Sequence, residues 1–426
     1  MALVLLFGVL FLLLLAGVPI AYCILAACVL TALILDPGVS APMIAQTMIT
    51  ANDSFPIMAI PFFILSGLIM GKGGISRRLF EAASAFVGHI PGGVGIAAVI
   101  TAMFFSAISG SGPATVAAIG GIMIPEMIKL GYSRQFSAAL IAAAGTIGVV
   151  IPPSIPLVVF GVVTGTSIGD LFFAAVIPGI LMALVLILWV IFHARKHSVK
   201  GTARKDWPDR GKTLVSAIWG LLLPVIILGG IYGGAFTPTE AAVIAVVYGV
   251  IVGCFIHREL KFRDLLETFG SAAMVTSSIM IIVAAAAVFS RFLAITDTPA
   301  TIVDSLTGFS TNPIVIILMA NLILLLLGTF METIAAVTII SPILVPVLAI
   351  AGMDPVQIGV LVVVIVSLGF ITPPLGVNMF IAANVAKTSS EKAFGAVLPG
   401  LGLLILVGLL VSFIPVSYTH LTLPTT

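Results

Sequence analysis

Four irregular segments of this apolar chain carry the residues whose types and spacing could do chemistry. The first segment places hydroxyls among glycines, and its candidate binding residues are Ser106, Ser109, Gly110, Ser111, Gly112 and Thr115. Glycine lets the backbone turn and approach an ion closely, and hydroxyls with freed carbonyls supply hard oxygen ligands. We therefore interpret this segment, in which Pro113 begins a helix, as an ion-binding tip. The alternative is a Gly/Ser packing seam between membrane helices.

The second segment carries an acidic side chain inside a long apolar stretch. Its candidate residues are Gly328, Met331, Glu332 and Thr333. A carboxylate within a membrane is costly and is functional by default, and the alternative is an interfacial glutamate or a structural partner to a hidden donor. Together the two segments predict a Na⁺ site whose ligands are Ser109, Ser111, Glu332 and Thr333.

The third and fourth segments interrupt apolar helices with paired prolines. Their candidate residues are Gly145, Thr146, Pro152, Pro153 and Ser154 in the third segment, and Thr372, Pro373, Pro374, Gly376 and Asn378 in the fourth. Paired prolines remove backbone donors and leave carbonyls of the preceding turn unpaired, which suits a cation such as Na⁺. The half-helix that follows each break presents a positive dipole end, which suits a substrate carboxylate. The alternative is a plain proline kink.

An internal repeat connects these segments in pairs. A shift of 221 positions lays Gly110–Ile180 over Met331–Leu401 without a gap, with 15 of 71 residues identical. Four prolines coincide under this shift, and both Pro-Pro pairs are among them. A helix-breaking motif repeated in both halves of a membrane protein is the best sequence pointer to a transport site.

The composition is that of a polytopic membrane protein. Hydrophobic residues make up 61% of the 426 residues, charged residues 8%, and the mean hydropathy is +1.31. Apolar runs long enough to cross a bilayer recur along the chain. The net charge of +2 is too small to indicate a nucleic-acid partner, and the three cysteines lack metal-ligand spacing. No Ser-His-Asp set is visible, so we expect no enzymatic activity and no cofactor other than Na⁺ as a coupling ion.

The positive charges predict that the two halves are inverted. Lys and Arg cluster in five groups, and loops rich in these residues stay on the cytoplasmic side. Under the same shift, the basic loop Lys129–Arg134 falls on Ile350–Pro355, which has neither residue. Conversely, Thr166–Asp170 has none and falls on Lys387–Glu391, which is part of a basic segment. Equivalent loops are thus predicted on opposite sides, as in an inverted-topology repeat. Arg291 lies outside this pattern.

The expected fold is all-α, with two re-entrant hairpins and two broken transmembrane helices. Residues 2–35 form one span or two, 40–50 lie at the interface, 76–88 and 298–308 form surface helices, and 273–292 form a span. The expected first repeat is 1–193, with N-terminal scaffold helices, a hairpin at 92–128 and a broken helix at 135–166. A basic cytoplasmic linker follows at 194–213. The expected second repeat is 214–415, with a hairpin at 314–349 and a broken helix at 356–386. The polar residues 417–426 are expected to be a non-native tail.

Taken as a set, several motifs resemble one transporter family. They are Pro61–Gly67, His89–Gly93, Ser106–Pro113, Pro152–Ser154 and Pro373–Gly376. Together they resemble the large membrane subunit of tripartite ATP-independent periplasmic (TRAP) transporters, over about residues 1–415.

The resemblance implies an elevator-type carrier of the ion-transporter superfamily in the bacterial inner (cytoplasmic) membrane. It implies Na⁺-coupled uptake of an organic acid such as a C4-dicarboxylate or a sialic acid, with the sites on the two tips and two breaks. It also implies a small four-helix membrane subunit and a periplasmic substrate-binding protein as partners, beside membrane lipid. The alternatives are a stand-alone Na⁺- or H⁺-coupled carboxylate carrier of the same superfamily and an ion channel.

Overall fold

The computed structural model of the chain describes residues 2–35, 39–297, 310, 312–374 and 376–414. These residues fold into α-helices with short 3-10 and π turns, and none of them forms a β-strand. Large side chains from several helices are fully buried in the hydrophobic core, among them Phe63, Phe105, Phe160 and Phe172. The predicted surface helix at 298–308 and the predicted tail at 417–426 lie outside the described residues.

The described residues contain eighteen α-helices. In chain order they are α1 Ala2–Leu15, α2 Ile20–Leu35, α3 Ala41–Asn52, α4 Ala59–Lys72, α5 Ile75–Val87, α6 Gly93–Ser109, α7 Gly112–Lys129, α8 Arg134–Thr146, α9 Ile155–Thr164, α10 Ile168–Lys196, α11 Trp207–Tyr232, α12 Pro238–Ile251, α13 Phe262–Ile295, α14 Pro313–Phe330, α15 Thr333–Ile350, α16 Pro355–Ser367, α17 Val377–Ala386 and α18 Ser390–Phe413.

Eight helices in the described part of the chain are long and apolar enough to cross a membrane. They are α4 with the 3-10 turn Phe55–Met58 before it, α10, α11, α12 with the π turn Val252–Ile256 after it, α13, α14, α15 and α18. Shorter apolar helices of 10–17 residues accompany them, including α9 beyond the first Pro-Pro pair and both α16 and α17 around the second. The chain is therefore a multi-pass membrane protein, as its composition predicts.

The N-terminal region forms two helices rather than one. The break between α1 and α2 contains Gly17, whose φ is +79°, and Pro19, which has no backbone N–H to continue a helix. The following helix, α3, has no buried residue, which agrees with the expected interfacial position of 40–50.

Two helical hairpins place the predicted tips between their arms. In the first hairpin, the C-cap residue Gly110, with φ +60°, follows α6, and the side chain of Ser111 caps the N-terminus of α7. In the second hairpin, the C-cap residue Met331 follows α14, and the side chain of Glu332 caps α15. Ser111 and Glu332 are related by the shift of 221, so the two tips use equivalent capping positions.

Two helices are interrupted at the paired prolines. The 3-10 turn Ile147–Val149 follows α8, and the side chain of Ser154 caps α9 beyond the prolines. The 3-10 turn Leu368–Ile371 follows α16, and α17 begins after Gly376. The peptide bonds within both Pro-Pro pairs are cis.

The repeat extends to helix boundaries and packing. A shift of 221 carries α7 onto α15 and α8 onto α16 with both ends of each helix coinciding. The contacts are reciprocal, because α7 packs on α17 and α15 on α9, while α8 packs on α18 and α16 on α10. Reciprocal contacts of this kind are characteristic of two units related by a two-fold rotation.

Two boundaries differ from the sequence prediction. The non-helical part of the predicted linker 194–213 is only 197–206, because α10 continues to Lys196 and α11 already begins at Trp207. Lys and Arg are good helix formers, so a basic stretch does not by itself end a helix. The predicted span 273–292 lies within the longer α13, which begins at Phe262 and whose polar first turn is capped by a hydrogen bond from Lys261 N to Asp264 Oδ2 of 2.9 Å.

Candidate substrate and ion site

Both hairpin tips line one cavity of about 460 Å³. The first tip contributes Ser109, Gly110 and Ser111, and the second contributes Glu332. The first turn of α9 adds further lining, and α4 and α13 form the facing wall. The fold thus brings together two segments that lie 221 residues apart in sequence, at Ser111 and Glu332.

Hydroxyl groups tie the first tip together internally. Ser109 Oγ and Thr115 Oγ1 lie 2.8 Å apart, and Thr115 Oγ1 donates a hydrogen bond of 2.8 Å to the Ser111 carbonyl. Ser109 and Thr115 are both buried. The Ser111 hydroxyl lies 3.5 Å from Ala114 N, which is the limit of a hydrogen bond. The Ser111 hydroxyl is therefore weakly engaged and available to a ligand in the cavity.

The first tip packs backbone to backbone against the first helix break. A methyl group on Gly148 would lie 2.8 Å from both the Ser111 carbonyl oxygen and Thr115 Oγ1. A methyl group on Gly110 would lie 2.7 Å from the Pro153 carbonyl oxygen. Real Cβ atoms essentially never approach so closely, so a side chain at either position would push the tip and the break apart.

Glu332 has both a structural contact and a face on the cavity. Its Oε2 accepts hydrogen bonds from Ile334 N at 2.9 Å and Ala335 N at 3.3 Å, which satisfies two free donors of the first turn of α15. The residue is nonetheless exposed and lines the cavity beside the first tip. The carboxylate can therefore cap the helix with one oxygen while the other is available to a cation.

The second break also packs closely against its hairpin, and the side-chain amide of Asn378 connects the two repeats. A methyl group on Gly369 would lie 1.9 Å from the Gly328 carbonyl oxygen, so this break packs directly on the second hairpin. The side chain of Asn378, at the start of α17, donates from Nδ2 to the Ala142 carbonyl at 3.2 Å. Its Oδ1 is buried and has no hydrogen-bond partner among the described residues.

The electrostatic character of the cavity is set by one carboxylate. Among the described residues that line it, Glu332 is the only charged side chain, and no Lys, Arg or His takes part. The N-termini of α7, α9 and α15 border the cavity through Pro113, Ile155, Pro156 and Ile334. Helix N-termini carry partial positive charge, so they offset part of the negative charge that a ligand would add.

The sequence model of one protein family, described as the DctM component of tripartite ATP-independent periplasmic transporters, matches residues 7–417. The chain belongs to this family. The resemblance deduced from the sequence motifs is thereby confirmed.

Several curated relatives of this DctM-family chain are named as transporter permeases. An isethionate TRAP transporter permease protein DctMQ of Oleidesulfovibrio alaskensis is 46% identical over 96% of this chain, and the chain spans 65% of that relative's length. A C4-dicarboxylate TRAP large permease of Vibrio cholerae is 39% identical over 97% of this chain and 96% of the relative. The sialic acid TRAP large permease SiaM of the same organism is 36% identical over 95% and 94%.

Solved structures of two more distant proteins share the fold. The YdaH transporter of Alcanivorax borkumensis matches with a TM-score of 0.61 at 14% identity, over 88% of this chain and 89% of that one. MtrF of Neisseria gonorrhoeae matches with a TM-score of 0.59 at 15% identity, over 87% and 84%. At such identities the likeness concerns the fold alone.

The cavity of the DctM-family chain contains four of the twenty predicted site residues, namely Ser109, Gly110, Ser111 and Glu332. The other sixteen do not line it; they are Ser106, Gly112, Thr115, Gly145, Thr146, Pro152, Pro153, Ser154, Gly328, Met331, Thr333, Thr372, Pro373, Pro374, Gly376 and Asn378. Several of their hydroxyls donate to backbone carbonyls of their own helix or break, as Ser106 does to Ala102 and Ser154 to Val149. Met331 lies instead in a separate apolar cavity of about 260 Å³ beside Phe7.

The sequence analysis missed the wall of the cavity that regular helices supply. From α4 this wall contains Ile64 and Gly67, and from α13 it contains Val275, Ser278 and Ile282. The Gly67 backbone lies against the first tip, since a methyl group there would be 2.9 Å from Ser109 Cα. The available signal was the run of three hydroxyl residues from Thr276 to Ser278 within an apolar span.

Proposed function

We propose that this chain is the large permease subunit of a tripartite system that takes up an organic acid with Na⁺ across the bacterial inner membrane. Its family and the relatives named for C4-dicarboxylates, sialic acid and isethionate support an organic acid as the substrate class. All three named substrates are anions at neutral pH. The proposal therefore has to explain how the cavity accommodates a negative charge.

The observation that carries the proposal is the single cavity shared by both hairpin tips. Two tips from repeated units, three helix N-termini and one carboxylate converge on about 460 Å³, a volume suited to a small ligand. Irregular backbone at membrane depth is tolerated where it is buried in protein or lines a watery cavity. Both tips line the cavity, and the first break is buried from Ile147 to Ser154, which supports their assignment as the transport site.

The charge of the cavity supports Na⁺ coupling. Two unit negative charges about 5 Å apart repel each other by about 3 kcal/mol at an effective dielectric constant of about 20. Glu332 would repel an organic anion in this way, and no basic side chain among the described lining residues offsets it. A cation bound beside Glu332 removes this repulsion. Substrate binding thus depends on the coupling ion.

The Na⁺ ligands in this proposal are Ser109, Ser111, Glu332 and Thr333. The first three face the cavity, and Thr333 is buried in the first turn of α15. The serine hydroxyls and one carboxylate oxygen match the hard oxygen donors that such a cation prefers.

An inverted repeat and an elevator motion complete the proposed mechanism. The reciprocal packing of the two sets of helices supports a two-fold relation between them. Lys and Arg occur in one loop of each equivalent pair and are missing from the other, which supports an axis in the membrane plane, so that the sets face opposite sides. The hairpins and broken helices then move as one body against the wall that α4 and α13 form, carrying the cavity across.

Reconstitution in proteoliposomes tests the proposal. Uptake of radiolabelled succinate, sialic acid and isethionate is measured with an inward Na⁺ gradient, with and without the small membrane subunit and the binding protein. We expect uptake of one acid only with all three components and Na⁺. Uptake by this chain alone would instead establish the stand-alone carrier, and silence with all three acids would refute the assigned substrate class.

A further inference from the structure

A buried arginine lies at the start of α11, outside the transport site. Between residues 204 and 212 the chain has four basic and two acidic residues, and all but one of these six side chains are exposed. The exception is Arg210, of which only 5% is exposed. Since arginine is almost never fully buried without a partner, the surroundings of Arg210 should contain its counter-charge.

The described residues contain no such counter-charge. The Nε and Nη2 atoms of Arg210 are sealed from solvent and have no hydrogen-bond acceptor among the described residues. The guanidinium lies instead between two aromatic rings, 5.8 Å from the centre of Phe86 and 5.1 Å from that of Trp207. Cation–π contacts do not satisfy the N–H donors. Arg210 is therefore a buried cation beside two aromatic rings, with no anion next to it among the described residues.

The nearest carboxylates in sequence do not pair with this guanidinium. Asp209 lies 3.8 Å from the Lys212 ammonium. Asp206 is the N-cap residue of α11, but its side chain caps no N–H of the first turn. Free N–H donors of this turn add to the positive potential around Arg210. The four basic and two acidic residues between 204 and 212 also give this segment a net positive charge.

The surroundings of Arg210 match a phospholipid rather than a free anion. Trp207 is 70% exposed and stands at the beginning of a membrane span, where tryptophan favours the headgroup region. Of the most apolar 18-residue stretch of α11, only 22% is buried inside the protein, the lowest share among the eight described spans. Exposed Leu214, Val215 and Ile218 follow Trp207 at helical spacing, so an acyl chain can lie along the face below the headgroup.

We propose that α5 and α11 form a binding site for an anionic glycerophospholipid, with Arg210 as its phosphate ligand. The phosphate oxygens accept hydrogen bonds from Nε and Nη2 in the bidentate geometry that guanidinium favours. Trp207 forms the outer wall and moves aside for the headgroup. Lys205 and Lys212 repel the ammonium group of a zwitterionic headgroup, which selects a lipid with net negative charge.

Native mass spectrometry of the detergent-purified chain tests this site. Phosphatidylglycerol, phosphatidylcholine and soluble glycerol phosphate are titrated separately against wild type, Arg210→Met and Arg204→Met. Arg204→Met is the matched control, because it removes an exposed positive charge six residues away. We expect wild type to retain phosphatidylglycerol at least tenfold more strongly than either other ligand. Arg210→Met should lose at least tenfold of this binding, and Arg204→Met no more than threefold.

Several results would overturn the proposal. Equal retention of phosphatidylglycerol by Arg210→Met and wild type would exclude Arg210 as the ligand. Equal binding of phosphatidylcholine would exclude selection by charge, and equal binding of glycerol phosphate would show a soluble anion site. An acidic partner protein as the true counter-charge would leave wild type without lipid preference. If Arg210→Met does not fold, Arg210→Lys replaces it, because lysine keeps the positive charge but lacks the paired N–H donors of the guanidinium. We expect Arg210→Lys to bind the lipid at least threefold more weakly. Unchanged binding would contradict the site.

Discussion

Replacing Glu332 in two ways separates its contribution as a helix cap from its contribution as a charge. Glu332→Gln keeps an oxygen that can accept from Ile334 N and Ala335 N, whereas Glu332→Ala removes the cap and the charge together. Loss of a capping side chain costs about 0.5–2 kcal/mol of stability. We therefore expect Glu332→Ala to lower the thermal unfolding midpoint clearly, and Glu332→Gln to lower it much less.

The effect on Na⁺ should not follow the effect on stability. A unit charge about 4 Å from a cation contributes up to about 4 kcal/mol at an effective dielectric constant of about 20, and both variants lose this charge. Both should therefore raise the half-saturating Na⁺ concentration for uptake at least tenfold, a change of about 1.4 kcal/mol. The assay is substrate uptake by the reconstituted tripartite system as a function of Na⁺ concentration, beside thermal unfolding in detergent.

A remote carboxylate provides the matched control. Glu240 also accepts a backbone N–H at the start of a helix, since its Oε2 accepts from Thr237 N at 2.8 Å beside α12, and it does not line the cavity between the tips. Glu240→Gln should leave the Na⁺ dependence unchanged. If only Glu332→Ala changes the Na⁺ dependence, in step with its stability, then Glu332 acts solely as a cap and the reasoning about charge is refuted.

Three further substitutions test the geometry around the cavity. Ser111→Ala should cost less than about 0.5 kcal/mol of stability, because the cap contact of Ser111 is marginal. It should nevertheless raise the half-saturating Na⁺ concentration severalfold. Ser271→Ala, outside the cavity, is its control. Gly148→Ala should reduce the uptake rate at least tenfold because its methyl group meets the first tip at 2.8 Å, whereas Gly121→Ala has no atom within 4 Å and should be neutral. Asn378→Ala should destabilise the protein by about 1–3 kcal/mol, measured by thermal unfolding, because its hydrogen bond to α8 is lost. Unchanged uptake in Ser111→Ala or Gly148→Ala, or an unchanged unfolding midpoint in Asn378→Ala, would contradict the corresponding contact.

Much of the fold could be predicted because glycine, proline and hydroxyl residues mark irregular backbone in an otherwise apolar chain. The tips at Ser111 and Glu332 and both helix breaks were found in this way. Helix ends within polar or basic stretches were harder to place. The beginning of α11 at Trp207 was missed although Asp206 and Pro208 mark it, because the surrounding basic residues resemble a linker. The polar first turns of α13 fall below the hydropathy of a span.

The side chains that face the cavity were only partly predictable. Sequence markers identify irregular backbone, but they do not say which side of a tip a residue occupies. Met331, next to Glu332, consequently turns into a different cavity, and Thr115 is buried behind Ser109. The wall residue Ser278 was missed because it belongs to a regular helix, where nothing in the backbone pattern distinguishes a lining residue from one that packs on a neighbour.

Simultaneous measurement of Na⁺ and substrate entry tests the central claim most directly. Radioactive Na⁺ and a labelled organic acid are followed in the same proteoliposomes containing the complete tripartite system. The account predicts that adding the acid accelerates Na⁺ entry and that Glu332→Gln reduces both fluxes together. Entry of the acid at an unchanged rate in the absence of Na⁺, with no accompanying Na⁺ flux, would contradict it.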